Sequence, residues 1–223
     1  MNKTSSTMSY LKGTKFSNGA YFRVTRSPVV ERNSLLVSMV ENKRVLHMGC
    51  ADHIDLIEKK RKKGQYLHGL LESKASYLVG TDVNRDALSK MEKSGISGLY
   101  HIDNLPENER FDILLVPDVI EHVGNVEEFL ESLQKINATT IVITTPNAFR
   151  LQNRSLFQSE IVNTDHRYWF SPYTLSKSIY EAGFSIEEYY YTDRLRWWQP
   201  IRSFLKWMFP LCRDGIAVVI TKA

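Results

Sequence analysis

Apolar positions along the chain alternate between a helical spacing and short unbroken runs. Over residues 31–41, Leu35, Leu36 and Met39 fall on one side of a helix, and the apolar run 45–48 that follows closes on Gly49. A second helical stretch covers 66–74, and the run 77–79 then leads into Gly80-Thr81-Asp82 as a buried strand. Asn84 is placed to cap the next helix, with Leu88 and Met91 on one face and Gly95 just past its end. A weak strand over 98–102 precedes a strong one over 111–116, stopped by Pro117. The helix over 126–136 opens with Asn125 and Glu128 in a capping-box-like arrangement and carries Val126, Phe129, Leu130 and Leu133 on one stripe. A strand over 140–144 stops before Pro146. Ser171-Pro172 then opens a helix that carries Leu175 and Ile179 and closes at Gly183. Two last strands, over 186–192 and 216–221, flank an aromatic and basic segment.

Strands alternating with helices predict an α/β domain with a mostly parallel sheet covered on both faces. Right-handed crossovers place the loops that follow the strands on one edge, where ligands bind. Residues 1–28 are polar, with Tyr10, Phe16, Tyr21 and Phe22 but no sustained periodicity. They read as an N-terminal arm or cap on a single domain spanning 29–223, and no internal repeat or low-complexity tract interrupts that domain.

Composition narrows the function. The net charge of +4 is scattered apart from the run EKKRKK at 58–63, which reads as a solvated surface, so no nucleic-acid partner is expected. The first residues show no secretory pattern and no apolar run is long enough to span a bilayer. Two cysteines, Cys50 and Cys212, make neither a disulfide framework nor a metal spacing, and a reducing cytoplasm is expected.

The loop after the first strand, Leu46 to His53, has one glycine that lets backbone approach a ligand. A nicotinamide fingerprint needs GxGxxG opening a helix directly, whereas the next helix here is expected about a dozen residues on. Asp82, ending the second strand, is placed to accept hydrogen bonds from a ribose diol, or simply to favour the following helix N-terminus.

The motifs VLHMGCADH, LVGTDVNRDAL, FDILLVPDVIEHVGNVEEFLESL, IVITTPN and DHRYWFSPYTLSKSIYEAGF, in this order across 43–192, resemble class I S-adenosylmethionine-dependent methyltransferases. The resemblance is to the small-molecule enzymes of the ubiquinone and methyltransferase type 11 kind. It implies a Rossmann-like seven-stranded sheet in the order 3-2-1-4-5-7-6 with helices on both faces, and S-adenosyl-L-methionine as cofactor. It also implies cofactor contacts at His47, Gly49, Cys50, Ala51, Asp82, Val83, Asp103, Pro117 and Asp118. Asp103 would sit near the adenine amino group, and Pro117 and Asp118 at the methionine end. This chain departs from the family pattern at His47, where an acid is usual, and at Ala51 and His53, where glycines are usual.

If residues 118–122 are helical, Asp118, Glu121 and His122 share a face, which resembles the metal-supporting site of ubiquinone-type O-methyltransferases. The favoured expectation is no metal, with Glu121 and His122 tying the motif together. Asp165 and His166 are the candidate catalytic pair, His166 as general base for a hydroxyl proton as the methyl transfers. Aromatic and basic residues of the arm, of 147–170 and of 194–210 would shape the acceptor pocket. The last of these reads as a substrate cap or oligomer contact without a clean amphipathic helix, so membrane contact is not expected and a homodimer is possible. The resulting expectation is a methyltransferase acting on oxygen or nitrogen of a small molecule, of glycan or natural-product type. The alternative is an inactive methyltransferase-fold scaffold.

Overall fold

The computed structural model describes residues 5–51, 54–106, 109–153 and 161–223. In chain order the helices are α1 (Ser5–Leu11), α2 (Arg32–Met39), α3 (Ile54–Lys62), α4 (Leu67–Glu72), α5 (Arg85–Lys93), α6 (Val126–Gln134), α7 (Pro172–Glu181) and α8 (Pro200–Met208). The strands are β1 (Arg44–Met48), β2 (Tyr77–Asp82), β3 (Leu99–His101), β4 (Phe111–Pro117), β5 (Ala138–Pro146), β6 (Phe184–Thr192) and β7 (Gly215–Lys222). They form one sheet in the order β3-β2-β1-β4-β5-β7-β6, as the resemblance implied. The first five strands pair in parallel, and β7 runs antiparallel between β5 and β6.

The strands read as apolar runs because both faces are covered. Leu46, Leu114, Val116, Ile141 and Ile143 pack on one face against Leu130 and Leu133 of α6 and Leu175 and Ile179 of α7. The intervening Val45, Ile113, Leu115 and Val142 point to the other face, against Leu36 of α2 and Leu71 of α4. A third cluster joins Ile57 of α3 to Leu88 and Met91 of α5 and to Leu99.

Local chemistry sets the helix starts. The Asn84 side chain accepts from the Ala87 amide, and that of Asn125 from the amides of Glu127 and Glu128. Ser171 and Thr174 make a reciprocal capping box, with Pro172 at the first helical position.

Four departures from the sequence reading matter for function. The helix after the glycine loop begins at Ile54, not a dozen residues on, and the charged run belongs to it as the outer side of α3. Only Ile57 among its described side chains is buried, and the charged run itself offers no apolar position to read. The arm holds a helix, α1, which packs on α7; Leu11 at its end is buried, and Phe22 meets Tyr173 edge-on at 5.8 Å. Residues 118–122 form a turn rather than a helix. The segment 200–208 is helical despite its flanking prolines. No helix among the described residues is long and apolar enough to cross a membrane.

Candidate functional site

The carboxyl ends of β1, β2, β4 and β5 frame a cavity of about 1040 Å³. One wall starts at Gly49, whose φ of 74° lies in the left-handed region and whose Cβ, if present, would stand 2.4 Å from Val119 Cγ2. Glycine is therefore required twice over. The amides of Gly49 and Cys50 donate to the Thr81 carbonyl at 2.8 and 3.1 Å, which pins the loop to the end of β2.

Asp82 bridges the two strand ends. One carboxylate oxygen accepts from the Ala51 amide at 3.0 Å and the other from the Asn84 amide at 2.9 Å. Asp82 borders the cavity and also steadies the start of α5. Ala51 and Val83 line the cavity beside it. Cys50 is buried, with its thiol pushed up to about 12, first by burial and then by the Asp82 charge, so it is an inert lining group. Asp103 does not line the cavity. Its carboxylate turns to His101 at 3.1 Å and Arg85 at 3.6 Å, and its neighbour Ile102 faces the ligand space instead. His53 lies outside the described residues.

His47 occupies the position where the family usually has an acid, and the structure gives it a partner that sequence reasoning missed. Its ring stacks on that of His68 from α4 at 5.3 Å, with the two Nδ1 atoms 3.0 Å apart. Burial holds His47 well below its ordinary range and His68 at about 4, so both rings are neutral and one hydrogen lies between them. Gly80 makes the room: a Cβ there would sit 2.8 Å from the His68 ring. A lone histidine on a short helix carried no signal of this.

At the end of β4, Pro117 and Asp118 line the cavity. Asp118 has a φ of 51°, unusual for a residue with a side chain. Its amide donates to the Thr144 carbonyl at 2.9 Å, the Thr144 hydroxyl donates to its carboxylate at 2.7 Å, and Arg32 from α2 makes an ion pair with the same group. This left-handed turn separates Asp118 from Glu121 and His122, and the helical face drawn from the sequence does not form.

His166 takes the place that Asp118 was expected to fill. Ligand-capable atoms of Glu121, His122 and His166 lie within 4.8 Å of one another, a donor set able to accept a divalent ion of intermediate softness. Glu121 is buried: one oxygen accepts from Thr145 Oγ1 at 3.0 Å and the other, Oε1, has no partner. Burial raises its carboxyl to about 7. His122 lies against the backbone of Asp165 and meets the His166 ring edge-on at 4.8 Å. His166 packs on Trp169 at 5.0 Å, and its buried Nδ1 is unpartnered. Burial, then the His122 and Arg150 charges, lower its pKa from 6.5, so it is a neutral base at neutral pH.

A second cavity, about 250 Å³, shares Arg32, Asp118 and Pro146 with the first and adds Arg150, Arg194, Asp193 and Asp214. Its acids are each engaged: Glu31 by Arg194, Asp118 by Arg32, and Asp193 and Asp214 by Lys206. Arg150 lies 4.7 Å above the Trp169 ring, bonds Asn153, feels the Asp214 charge, and makes no ion pair within 4.0 Å among the described residues. Among the described side chains of the arm, from Met8 to Pro28, none lines either cavity.

A seven-stranded sheet of this order, with a glycine loop, a strand-end acid and a cleft at the strand ends, defines a class I S-adenosylmethionine-dependent methyltransferase fold. A family model described as a methyltransferase domain matches residues 26–189, and the chain belongs to that family. It is an enzyme that uses S-adenosylmethionine to transfer methyl groups. No curated protein matches the chain at the sequence level. Among solved structures, it is similar to an S-adenosylmethionine-dependent methyltransferase from Mesorhizobium loti, with 14% identity and a TM-score of 0.56 over 86% of this chain and 96% of that one. The methyltransferase domain of a bacterial CtHen1 gives 17% identity and a TM-score of 0.56, covering 86% and 97%. The magnesium protoporphyrin IX methyltransferase of Synechocystis PCC 6803, solved with S-adenosylhomocysteine, gives 12% identity and a TM-score of 0.54, covering 86% and 82%. At these identities the likeness is one of fold.

Proposed function

We propose that the chain methylates a hydroxyl of a small, acid-bearing acceptor of glycan or natural-product type, with His166 as the base. One observation carries this reading. The unpartnered Nδ1 of His166 belongs to a ring that lines the same cavity as Gly49 and Asp82.

The residues present fit the cofactor. Gly49 leaves a cradle that a side chain would fill, and Asp82 offers a carboxylate at the end of β2. Gly49, Cys50, Ala51, Asp82 and Val83 would hold the nucleoside part, and His47, Pro117 and Asp118 the methionine part. When bound, S-adenosylmethionine supplies an electrophilic methyl on a sulfonium sulfur. His166 takes the acceptor's hydroxyl proton as its oxygen bonds to the methyl carbon and the sulfur–carbon bond breaks, the electron pair staying on sulfur. Beyond this the protein aligns the partners and excludes water, and alignment supplies most of the acceleration. Asp165 contributes its backbone carbonyl, which fixes the His122 ring, so its role is positioning.

The smaller cavity supports the acceptor class. Its acids are all engaged by cations of the fold, which leaves Arg150 to receive a carboxylate or phosphate on the acceptor. The space suits a small molecule rather than a polymer. A free, buried Cys50 and a free Cys212 fit a reducing, cytoplasmic setting.

A thermal-unfolding scan tests the cofactor side. Ligand at a thousand times its dissociation constant adds about 4 kcal/mol, or roughly 8–16 °C for a chain of this size. S-adenosylmethionine and S-adenosylhomocysteine are expected to shift the transition, and NAD to leave it unchanged. A methyl-transfer screen over uronic, phosphorylated and neutral hydroxyl acceptors tests the other side. Activity confined to neutral acceptors, or to nucleic acid or protein, would sink the proposed acceptor.

A further inference from the structure

Helix α8 is amphipathic in the reverse sense to an ordinary surface helix. Its polar side faces the protein, where the buried Lys206 ammonium bonds Asp193 at 2.8 Å and Asp214 at 2.9 Å. Its apolar side faces out. Ile201 is 77% exposed and Phe204 is 55% exposed, with Trp207 and Phe209 continuing the stripe. The turn before the helix adds Trp197, 87% exposed and set edge-on to Trp198 at 5.7 Å. Single exposed apolar residues are ordinary, but a contiguous face held outward by a buried ion-pair network is an interaction surface.

Charge selects what covers it. No Asp or Glu occurs from Arg194 to Arg213. Arg26 reaches over from the arm to lie 4.0 Å above the Trp207 ring, and Arg196 lies 6.0 Å from that of Trp198. Neither guanidinium has a carboxylate partner among the described residues, so the apolar face carries a cationic rim. A second copy docked on this face would add a second set of cations to the seam with no acid between 194 and 213 to pair them, which disfavours self-association. Tryptophans and arginines around an outward apolar helix are what the headgroup layer of an anionic bilayer accommodates.

We propose that the outer face of α8, with Trp197 and Trp198, docks on an anionic lipid surface. From the residue pattern, membrane contact was the lesser reading of this segment, because prolines at 200 and 210 hid the helix and Lys206 broke its apolar pattern. The inference does not depend on the identity of the methyl acceptor. It has one geometric consequence for it, since Asp193 and Asp214, which anchor α8, also line the smaller cavity. Docking would bring that opening near the lipid surface.

The test is co-sedimentation of the full chain with phosphatidylcholine vesicles, with and without phosphatidylglycerol. Binding is expected to be about ten-fold or more tighter to the anionic vesicles, to weaken as salt is raised, and to shift tryptophan emission to the blue. The Trp197→Ser/Phe204→Ser variant, altered only at exposed positions, should keep its melting temperature and lose most of that binding. The Arg26→Ala/Arg196→Ala variant should lose the preference for anionic lipid. Absence of binding to anionic vesicles at low salt would overturn the proposal, as would unchanged binding by the first variant. A dimer in sedimentation equilibrium that the first variant dissociates would assign the face to a second copy instead.

Discussion

The Nδ1 of His122 lies 2.7 Å from the carbonyl oxygen of Asp165, and because a carbonyl only accepts, that nitrogen carries the hydrogen. The imidazole beside it, His166, stays neutral at neutral pH because burial and the neighbouring His122 and Arg150 lower its pKa. Replacing His166 by Gln is expected to lower kcat about a hundred- to a thousand-fold while leaving S-adenosylmethionine affinity within a factor of about three. Stopped-time methyl transfer and calorimetric titration separate the two effects. The wild-type rate should be level above neutrality and fall on acidification below 6.5, since the depressed pKa of His166 keeps it unprotonated until then.

Asp82 holds two backbone amides, so its removal has both a binding and a structural cost. Asp82→Asn keeps the size and loses the charge, and is expected to weaken S-adenosylmethionine and S-adenosylhomocysteine binding about ten- to a hundred-fold. Calorimetry with both ligands checks this. Equal affinity in variant and wild type would remove Asp82 from the cofactor site.

Gly49→Ala should destabilise the fold by about 2–4 kcal/mol, combining a disfavoured φ with a collision at Val119. For a chain of this size that lowers the melting temperature by roughly 4–16 °C. Adding Val119→Ala relieves the collision but not the backbone strain, so the double variant should regain part of the loss. A double variant no better than the single one would show that the clash is not the cause.

The neutral pair His47 and His68 predicts a pH effect on stability. Both are depressed by burial, so the unfolded chain binds protons more readily than the native one. Their contribution is whole above 6.5 and is lost as pH falls from there toward about 4, amounting to about 3 kcal/mol for His68. Urea unfolding at a series of pH values should show this slope, and His68→Gln should flatten it. An unchanged slope would mean that the pair is not neutral in the native state.

Lys206 is buried between Asp193 and Asp214. Lys206→Met should cost about 3–5 kcal/mol, because it leaves the buried Asp193 without its cation. Lys206→Met/Asp193→Asn should recover much of the loss. Both are read from denaturant midpoints.

The sheet was legible because each central strand is a run of apolar residues bounded by a glycine, a proline or an acid, and parallel pairing buries such runs on both faces. Val45–Met48 and Phe111–Val116 left no other assignment. Helix α3 was not legible, since its charged run EKKRKK carries no apolar residue to show a stripe. Of the site, Gly49 and Asp82 could be placed from the strands they end. Asp103 could not, because a side chain in the short turn after β3 can face either the cleft or Arg85. The grouping of Glu121 and His122 with His166 depends on a left-handed residue at Asp118, and sequence spacing assumes helical geometry there. His68 joins His47 only through the space over Gly80, a relation between three elements that no local pattern encodes.

The cavity is held from two largely separate sources. The proposed nucleoside side hangs on the ends of β1 and β2, while the proposed acceptor side is assembled from α2, the turn after β4, the loop beyond β5 and the segment after β6. Changes in length or residue type on the acceptor side need not disturb Gly49 or Asp82. A lineage can therefore drift to a new acceptor while its methyl donor stays fixed, and descendants of one ancestor would diverge first at positions such as Arg150 and Arg194.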